Sequence, residues 1–194
     1  MPETQGCIEE TVGALIGLQQ DVFETTDYAA AVLSMSLTSE RCILAAGTPL
    51  SAPALEIFTR ELNMKTLGDR GIAGGRMLNR EAGNLGVGAD VLALGQLLKI
   101  AFRATARISA EDGSDSLLII SDNPENSQAL FGELLREARL MHVPAVVICT
   151  QKDKISELLS DEDICIRLNI DAAYNFLTVA LTLLFSIKRQ LEMV

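Results

Sequence analysis

Residues 116–127 read Ser-Leu-Leu-Ile-Ile-Ser-Asp-Asn-Pro-Glu-Asn-Ser, and this stretch decides the fold. Four consecutive apolar residues lie between two serines, a pattern typical of a strand that is buried on both faces. Residues 122–125 are turn formers, and an amphipathic helix is predicted from 126 to 141. The stretch therefore predicts a strand, a tight turn and a helix in direct succession.

The same unit occurs on both sides of this stretch. Residues 41–46 form a short apolar run that ends at Gly47, and a helical pattern follows over 52–64. Residues 144–149 form another apolar strand, and a short helix at 154–159 and a strand at 164–168 follow it. Apolar strands that alternate with helices predict a mainly parallel sheet with both faces covered. We therefore expect an α/β fold, a three-layer α/β/α sandwich around a mainly parallel five-stranded sheet.

Helices are predicted at both ends of the chain. Two of them span residues 8–38, with a break near 25–27, where Asp27 caps the second helix. Residues 28–37 are almost entirely small and apolar. A long helix over about 171–191 is apolar nearly all the way round: Asn175, Thr178, Thr182 and Ser186 form one polar stripe, and Lys188 and Arg189 mark where the helix meets water. Both segments need burial, which predicts a homo-oligomer, either a dimer or a tetramer. We expect one domain over 1–194, with helices at 1–38 and an α/β core at 39–194.

The composition excludes several function classes. The 194 residues include 16 basic and 26 acidic side chains, which gives a net charge of −10. This charge disfavours direct binding to nucleic acid. A protein with a basic surface remains a suitable partner. The longest uncharged run, 172–187, is too short and too polar to cross a membrane, and the N-terminus does not resemble a signal peptide. We therefore expect a cytoplasmic location and no membrane binding.

Metal and cofactor sites are not expected either. The four cysteines, Cys7, Cys42, Cys149 and Cys165, lack metal-binding spacing, and they are interpreted as buried free thiols. His142, the only histidine, is placed just before the strand at 144–149, at the entry end of the sheet. The glycine-rich region 68–88 matches no nucleotide-binding motif and is interpreted as loop turns, with one further strand around 71–78. Its arginines, Arg70, Arg76 and Arg80, are expected to be solvated, the alternative being contacts with a ligand or a neighbouring subunit.

Ligands of parallel α/β sheets bind where the strands end, so the turns after Ala46 and Ile120 are the candidate site. Each turn opens a helix whose free amides can hold an anion. The candidate ligand-binding residues are Gly47, Thr48 and Ser51 in the first turn, and Ser121, Asn123, Asn126 and Ser127 in the second. The alternative for the hydroxyl and amide side chains is ordinary helix capping.

The order of these elements resembles the sugar-isomerase (SIS) domain family, specifically the branch of the phosphoheptose isomerases and the DnaA initiator-associating protein (DiaA). Members of that branch carry Cys-Gly-Asn-Gly-Gly-Ser and Ile-Ser-Thr-Ser-Gly-Asn-Ser turns after two strands. The matching local pieces here are residues 115–121, 126–127, 146–150 and 163–168. The resemblance implies the SIS fold and a sugar-phosphate ligand.

The chain departs from the family at the residues that would contact substrate. Thr48, Pro49 and Leu50 replace an Asn and a Gly pair, and Asp122 and Glu125 add negative charge to the second turn. The resemblance implies an acid/base pair made of a Glu and of a His on the last helix. This chain has Arg60 at the position of the Glu, and residues 172–176 supply no histidine. Glu61 and Glu56 are the substitute catalytic candidates.

Two functions follow from the resemblance and the departures. We favour a divergent, non-catalytic SIS protein that acts as a protein-interaction module like the initiator-associating proteins, or as a weak sugar-phosphate-binding module. The alternative is an active phosphoheptose isomerase, acting on sedoheptulose 7-phosphate through Glu61 or Glu56.

Overall fold

A computed structural model describes residues 2–18, 20–70, 74–81, 90–109, 113–170 and 173–193. A five-stranded parallel sheet in the order β2-β1-β5-β6-β7 lies between two layers of helices. The predicted α/β sandwich is confirmed. Its strands are β1 (Ile43–Gly47), β2 (Gly75–Met77), β5 (Ser116–Ser121), β6 (Ala145–Thr150) and β7 (Ile164–Leu168), and β3 (Ile108–Ser109) and β4 (Gly113–Ser114) form a separate hairpin.

The helices follow the strands in the predicted alternation. They are α1 (Pro2–Ile16), α2 (Gln20–Thr38), α3 (Ala52–Arg70), α4 (Leu78–Glu81), α5 (Val91–Thr105), α6 (Ser127–Leu140) and α7 (Ala173–Leu191), with a short 3₁₀ helix at Lys154–Leu158. Much of the glycine-rich region, 71–73 and 82–89, lies outside the described residues. The strand predicted there is confirmed in part as β2.

Alternate residues of each strand face different helices. Ile43, Ala45, Leu118 and Ile120 belong to the core that α2, α3 and α7 cover. Leu44, Ala46, Leu117 and Ile119 belong to the core that α5 and α6 cover. Because both faces of the sheet are covered, the strands had to be apolar throughout.

The break between the first two helices lies at Gly17–Leu18, not at residues 25–27 as predicted. The hydroxyls of Thr25 and Thr26 donate to the carbonyls of Asp21 and Val22 four residues earlier. These bonds satisfy both threonines within α2, so they do not end it. Asp27 caps no helix, and its carboxylate accepts a hydrogen bond from Gln190 of α7.

The apolar side of α7 is buried within the chain itself. Phe176, Val179, Leu183 and Ile187 pack in the core beneath α2 and α3. Among the predicted polar stripe, Thr178, Thr182 and Ser186 are exposed, but Asn175 is buried and accepts a hydrogen bond from Thr11 of α1 at 2.8 Å. An oligomer is therefore not needed to bury this helix.

No helix in the part of the chain that the structure describes is both long and apolar enough to cross a membrane.

Candidate functional site

The first candidate turn follows β1, and its hydroxyls bond to one another and to the chain. Thr48 and Ser51 lie 2.8 Å apart through their hydroxyl oxygens, and Ser51 also donates to the carbonyl of Ile120 at 3.0 Å. The amide of Ser51 donates to the Thr48 hydroxyl at 3.3 Å, a bond within the turn that precedes α3. Ser51 is completely buried and Thr48 is 3% exposed.

Asn79 of α4 holds the end of β1 in place. Its side-chain oxygen accepts from the Gly47 amide at 2.9 Å, and its side-chain nitrogen donates to the Gly47 carbonyl at 2.8 Å. This pair of bonds continues the hydrogen-bonding pattern of the sheet beyond the end of β2. A side chain at Gly47 would meet Ser51 and Leu55 at 2.9 and 3.0 Å, so only glycine fits there without a shift.

The second candidate turn follows β5, and its serines bind a carboxylate of the chain. Ser121 donates to Asp153 at 2.6 Å, and Ser127 donates to the other carboxylate oxygen of the same residue. The amide of Ile155 donates to Asp153 at 2.8 Å. Both serines are completely buried, and Asp153 is 3% exposed. Asp153 thus receives from the turn the hydroxyl donors that an external anion would use.

Asp122 connects the two turns. Thr48 donates to one of its carboxylate oxygens at 2.5 Å, and the other oxygen is buried and accepts no hydrogen bond from the residues that the structure describes. Burial raises the pKa of Asp122 above its ordinary value, and the charge of Asp153 acts in the same direction against the Thr48 hydrogen bond. The ends of β1, β5 and β6 therefore already carry two carboxylates, Asp122 and Asp153.

The two asparagines of the second turn shape the backbone. The carbonyl of Asn123 accepts from the amides of Asn126 and Ser127, and its side chain accepts from the amide of Glu125. Asn126 occupies the N-cap position of α6, but its side chain makes no capping bond, so the capping alternative fails for this residue. Asn123 is exposed and Asn126 is half-buried, so both can be reached from solvent.

The candidate catalytic residues lie on different sides of α3. Glu61 is half-buried, and its carboxylate lies 4.0 Å from the ammonium nitrogen of Lys188 in α7. Lys188 forms a closer ion pair with Glu192, at 2.7 Å. Glu56 and Arg60 are exposed and line an open cavity of about 340 Å³ beside β2, together with Arg76 and Arg80. Neither glutamate contacts the hydroxyls of the two turns.

The position implied for the family histidine contacts α1. Tyr174 donates to Glu10, and Asn175 accepts from Thr11. His142 is exposed in the turn before β6, at the entry end of the sheet, where the sequence predicted it. Within the described residues, no three side chains of His, Cys, Asp or Glu come together as a metal site would require.

Solved structures with the same fold give this architecture a name. A phosphoheptose isomerase from Neisseria gonorrhoeae superposes with a TM-score of 0.82 at 18% identity. A phosphoheptose isomerase from Francisella tularensis superposes with a TM-score of 0.77 at 14% identity. Each match covers 100% of this chain and 98% of the other. The chain therefore has the SIS fold.

At 14–18% sequence identity, the similarity of this chain to the two isomerase structures establishes the fold and nothing about activity. No protein-family profile matches the chain. No curated protein sequence matches it either.

Sequence reasoning missed Asp153 and Asn79. Asp153 follows β6 and precedes a helical turn, where a side chain at the carboxyl end of a strand is a site candidate by position. Nothing local marks Asn79, because its two bonds reach Gly47, 32 residues away.

Proposed function

We propose that this protein is a non-catalytic member of the SIS fold that works as a protein-interaction module, of the regulatory kind that the initiator-associating proteins represent. The observation that carries the proposal is the pair of bonds from Ser121 and Ser127 to Asp153. A phosphate group would have to displace the Asp153 carboxylate from these two hydroxyls. Because Asp153 is part of the same chain, its contact does not cost the translational and rotational entropy that a free ligand loses on binding.

The charge of the site supports the same conclusion. Asp122 adds a second carboxylate beside Asp153, and like charges in a partly buried site repel a dianionic ligand strongly. Pro49 also has no amide proton to offer an anion. The net charge of −10 then favours a partner protein with a basic surface, whose binding should weaken with added salt.

The acid/base residues support a non-catalytic role. Glu61 forms an ion pair with Lys188, and Glu56 lies beside β2 with Arg60. Aldose–ketose isomerisation needs two groups placed on adjacent carbons of one substrate, close to the group that holds its phosphate. The described residues bring neither glutamate to the turns that carry the hydroxyls.

A thermal-shift titration with sedoheptulose 7-phosphate and with inorganic phosphate tests the proposal. We expect the melting temperature of the wild type to stay constant, because a ligand raises it only by binding the folded state. Asp153→Asn replaces the charged acceptor of Ser121 and Ser127 with a neutral one, so phosphate should compete better for these hydroxyls and stabilise this variant. Asp161→Asn is the matched control, because it removes one charge from an exposed turn and should respond as the wild type does.

An isomerase assay separates the two candidate functions. If the wild type turns over sedoheptulose 7-phosphate and Glu61→Gln does not, our proposal is wrong and the protein is an isomerase. Stabilisation of the wild type without turnover would support a sugar-phosphate-binding module instead of a protein-interaction module.

A further inference from the structure

Two cysteines lie side by side on the last two strands of the sheet. In the register of β6 and β7, Val147 is opposite Cys165 and Cys149 is opposite Arg167, so the two cysteines are diagonal neighbours on one face. Their sulfur atoms are 3.6 Å apart. Both belong to the core on the α6 side, where Cys149 is part of the cluster and Cys165 packs against it.

The environments of the two thiols differ. Cys149 is completely buried in β6, an inner strand, whereas Cys165 is partly exposed on the edge strand β7. The hydrogen bond from Cys149 lowers the pKa of Cys165 to about 7, and Arg167 acts in the same direction, while burial and the charge of Asp153 oppose both. The same hydrogen bond, together with burial, raises the pKa of Cys149. The partly exposed cysteine is thus the one whose thiolate forms near neutral pH, and a thiol with a raised pKa lies beside it.

We propose that Cys165 and Cys149 form a reversible redox pair, in which a hydroperoxide oxidises Cys165 and Cys149 resolves the product as an intramolecular disulfide. The Cys165 thiolate attacks one oxygen of hydrogen peroxide, the O–O bond breaks, and a sulfenic acid and a hydroxide form. The hydroxide takes up a proton and leaves as water. The sulfur of Cys149 then attacks that of Cys165: an S–S bond forms, the S–O bond breaks, and the sulfenic OH takes up the Cys149 proton and leaves as a second water. Two thiols and one peroxide thus give one disulfide and two waters.

The geometry favours a disulfide that is easily reduced again. The two sulfur atoms must approach by about 1.5 Å to reach bonding distance. Diagonal neighbours on paired strands have Cα atoms about 7–8 Å apart, which exceeds the usual range for a disulfide. The edge strand β7 therefore has to shift toward β6 when the bond forms. Strained disulfides have higher reduction potentials than relaxed structural ones, as a reversible switch requires.

Peptide mapping after oxidation tests the proposal. Trypsin separates all four cysteines, with Cys149 in residues 140–152 and Cys165 in residues 155–167. The folded wild type, treated with a small excess of hydrogen peroxide and then alkylated, should give these two peptides linked to each other as the main cysteine product. Dithiothreitol should restore both free thiols. The alkylation controls are Cys7 and Cys42, whose peptides should remain unlinked.

The variant Cys149→Ala distinguishes a resolving thiol from a bystander. With Cys149 absent, Cys165 should stop at the sulfenic acid or proceed to the sulfinic acid, and the linked peptides should disappear. Cys7→Ser should leave the linkage unchanged. The proposal is overturned if the wild type accumulates sulfinic acid on Cys165 without linkage, if other cysteines are linked instead, or if Cys165 resists peroxide. These outcomes do not depend on the function proposed above.

Discussion

Asp153 accepts a hydrogen bond from Ser121 at 2.6 Å, and this contact joins the turn after β6 to the end of β5. The two residues are 32 positions apart, and the parallel register of the two strands brings them together. Ser127 and the amide of Ile155 bind the same carboxylate, so one acidic side chain organises the starts of α6 and of the 3₁₀ helix. In this chain, the polar residues of the turn stabilise the fold.

Removing the carboxylate of Asp153 should destabilise the protein strongly. Asp153→Ala leaves two buried hydroxyls and one amide without their acceptor, and we expect a loss of about 3 kcal/mol in the free energy of unfolding. Asp153→Asn keeps an acceptor and should cost less. Urea denaturation measures both, with Asp161→Ala on an exposed turn as the control. A change in Asp153→Ala as small as that of the control would contradict this role.

Glycine should be required at position 47 but not at position 132. A methyl group at Gly47 would lie 2.9 Å from the Ser51 hydroxyl and 3.1 Å from the amide of Ala52, so Gly47→Ala should cost about 1–3 kcal/mol. At Gly132, within α6, the added carbon would make only an ordinary contact with Leu158 at 3.5 Å. Gly132→Ala should therefore be neutral or stabilise by up to about 1 kcal/mol. Equal effects at the two positions in thermal denaturation would refute the argument.

Asp122 should make the stability of the protein depend on pH. Its folded pKa is raised by burial, so its favourable contribution is complete below its unfolded pKa of about 4 and is lost as the pH rises through the folded value. Asp122→Asn removes this dependence. The free energy of unfolding of Asp122→Asn minus that of the wild type should therefore increase from pH 4 to pH 7. Any change in packing caused by the substitution adds the same amount at every pH and does not alter this trend. Urea denaturation of both proteins measures this difference across the pH range. A difference that stays flat or falls would disprove the assignment.

The reactivity of Cys165 should titrate near neutral pH. Because the thiolate is the nucleophile, alkylation by iodoacetamide should be half-maximal at a pH of about 7. Cys149→Ala removes the hydrogen-bond donor and should move the midpoint upward. Burial raises the pKa of Cys42, which serves as an internal reference that reacts only at higher pH. A midpoint that is unchanged in Cys149→Ala would mean that Cys149 does not tune Cys165.

The oligomer expected from the sequence should form through the outer face of α2. Tyr28 and Met35 are 69% and 68% exposed, and Ala31 lies between them on the same side of the helix. Met35→Lys would place a charge on this face and should convert the oligomer into a monomer, as measured by light scattering. The control is Ile100→Lys, which changes an exposed apolar residue of α5 and should leave the mass unchanged. A wild type that is already monomeric would refute the expectation.

Local patterns predicted most of the fold. The strands at 116–121 and 164–168 coincide with β5 and β7, because fully buried strands must be apolar throughout. The break between α1 and α2 was misplaced, because Thr25 and Thr26 favour a break only when their hydroxyls have no better partner. Here those partners are carbonyls of the same helix.

The candidate site was predicted by position but not by contact. The sequence placed Thr48, Ser51, Ser121 and Ser127 at the ends of neighbouring strands, and the structure brings their two turns together through the bond from Thr48 to Asp122. Whether these residues bind a ligand stays a prediction. Asp153 was not among the candidates, because its role exists only once β6 lies beside β5.

The sequence by itself determined the layered architecture and the turns at which polar side chains collect. Periodicity and turn chemistry are local properties, and they can be read before the chain folds. Only the tertiary structure decided that Ser121 and Ser127 donate to Asp153, and that Cys149 lies beside Cys165. Such pairings depend on the register between strands that are distant in sequence, which sets the distance between side chains and which of them are buried together.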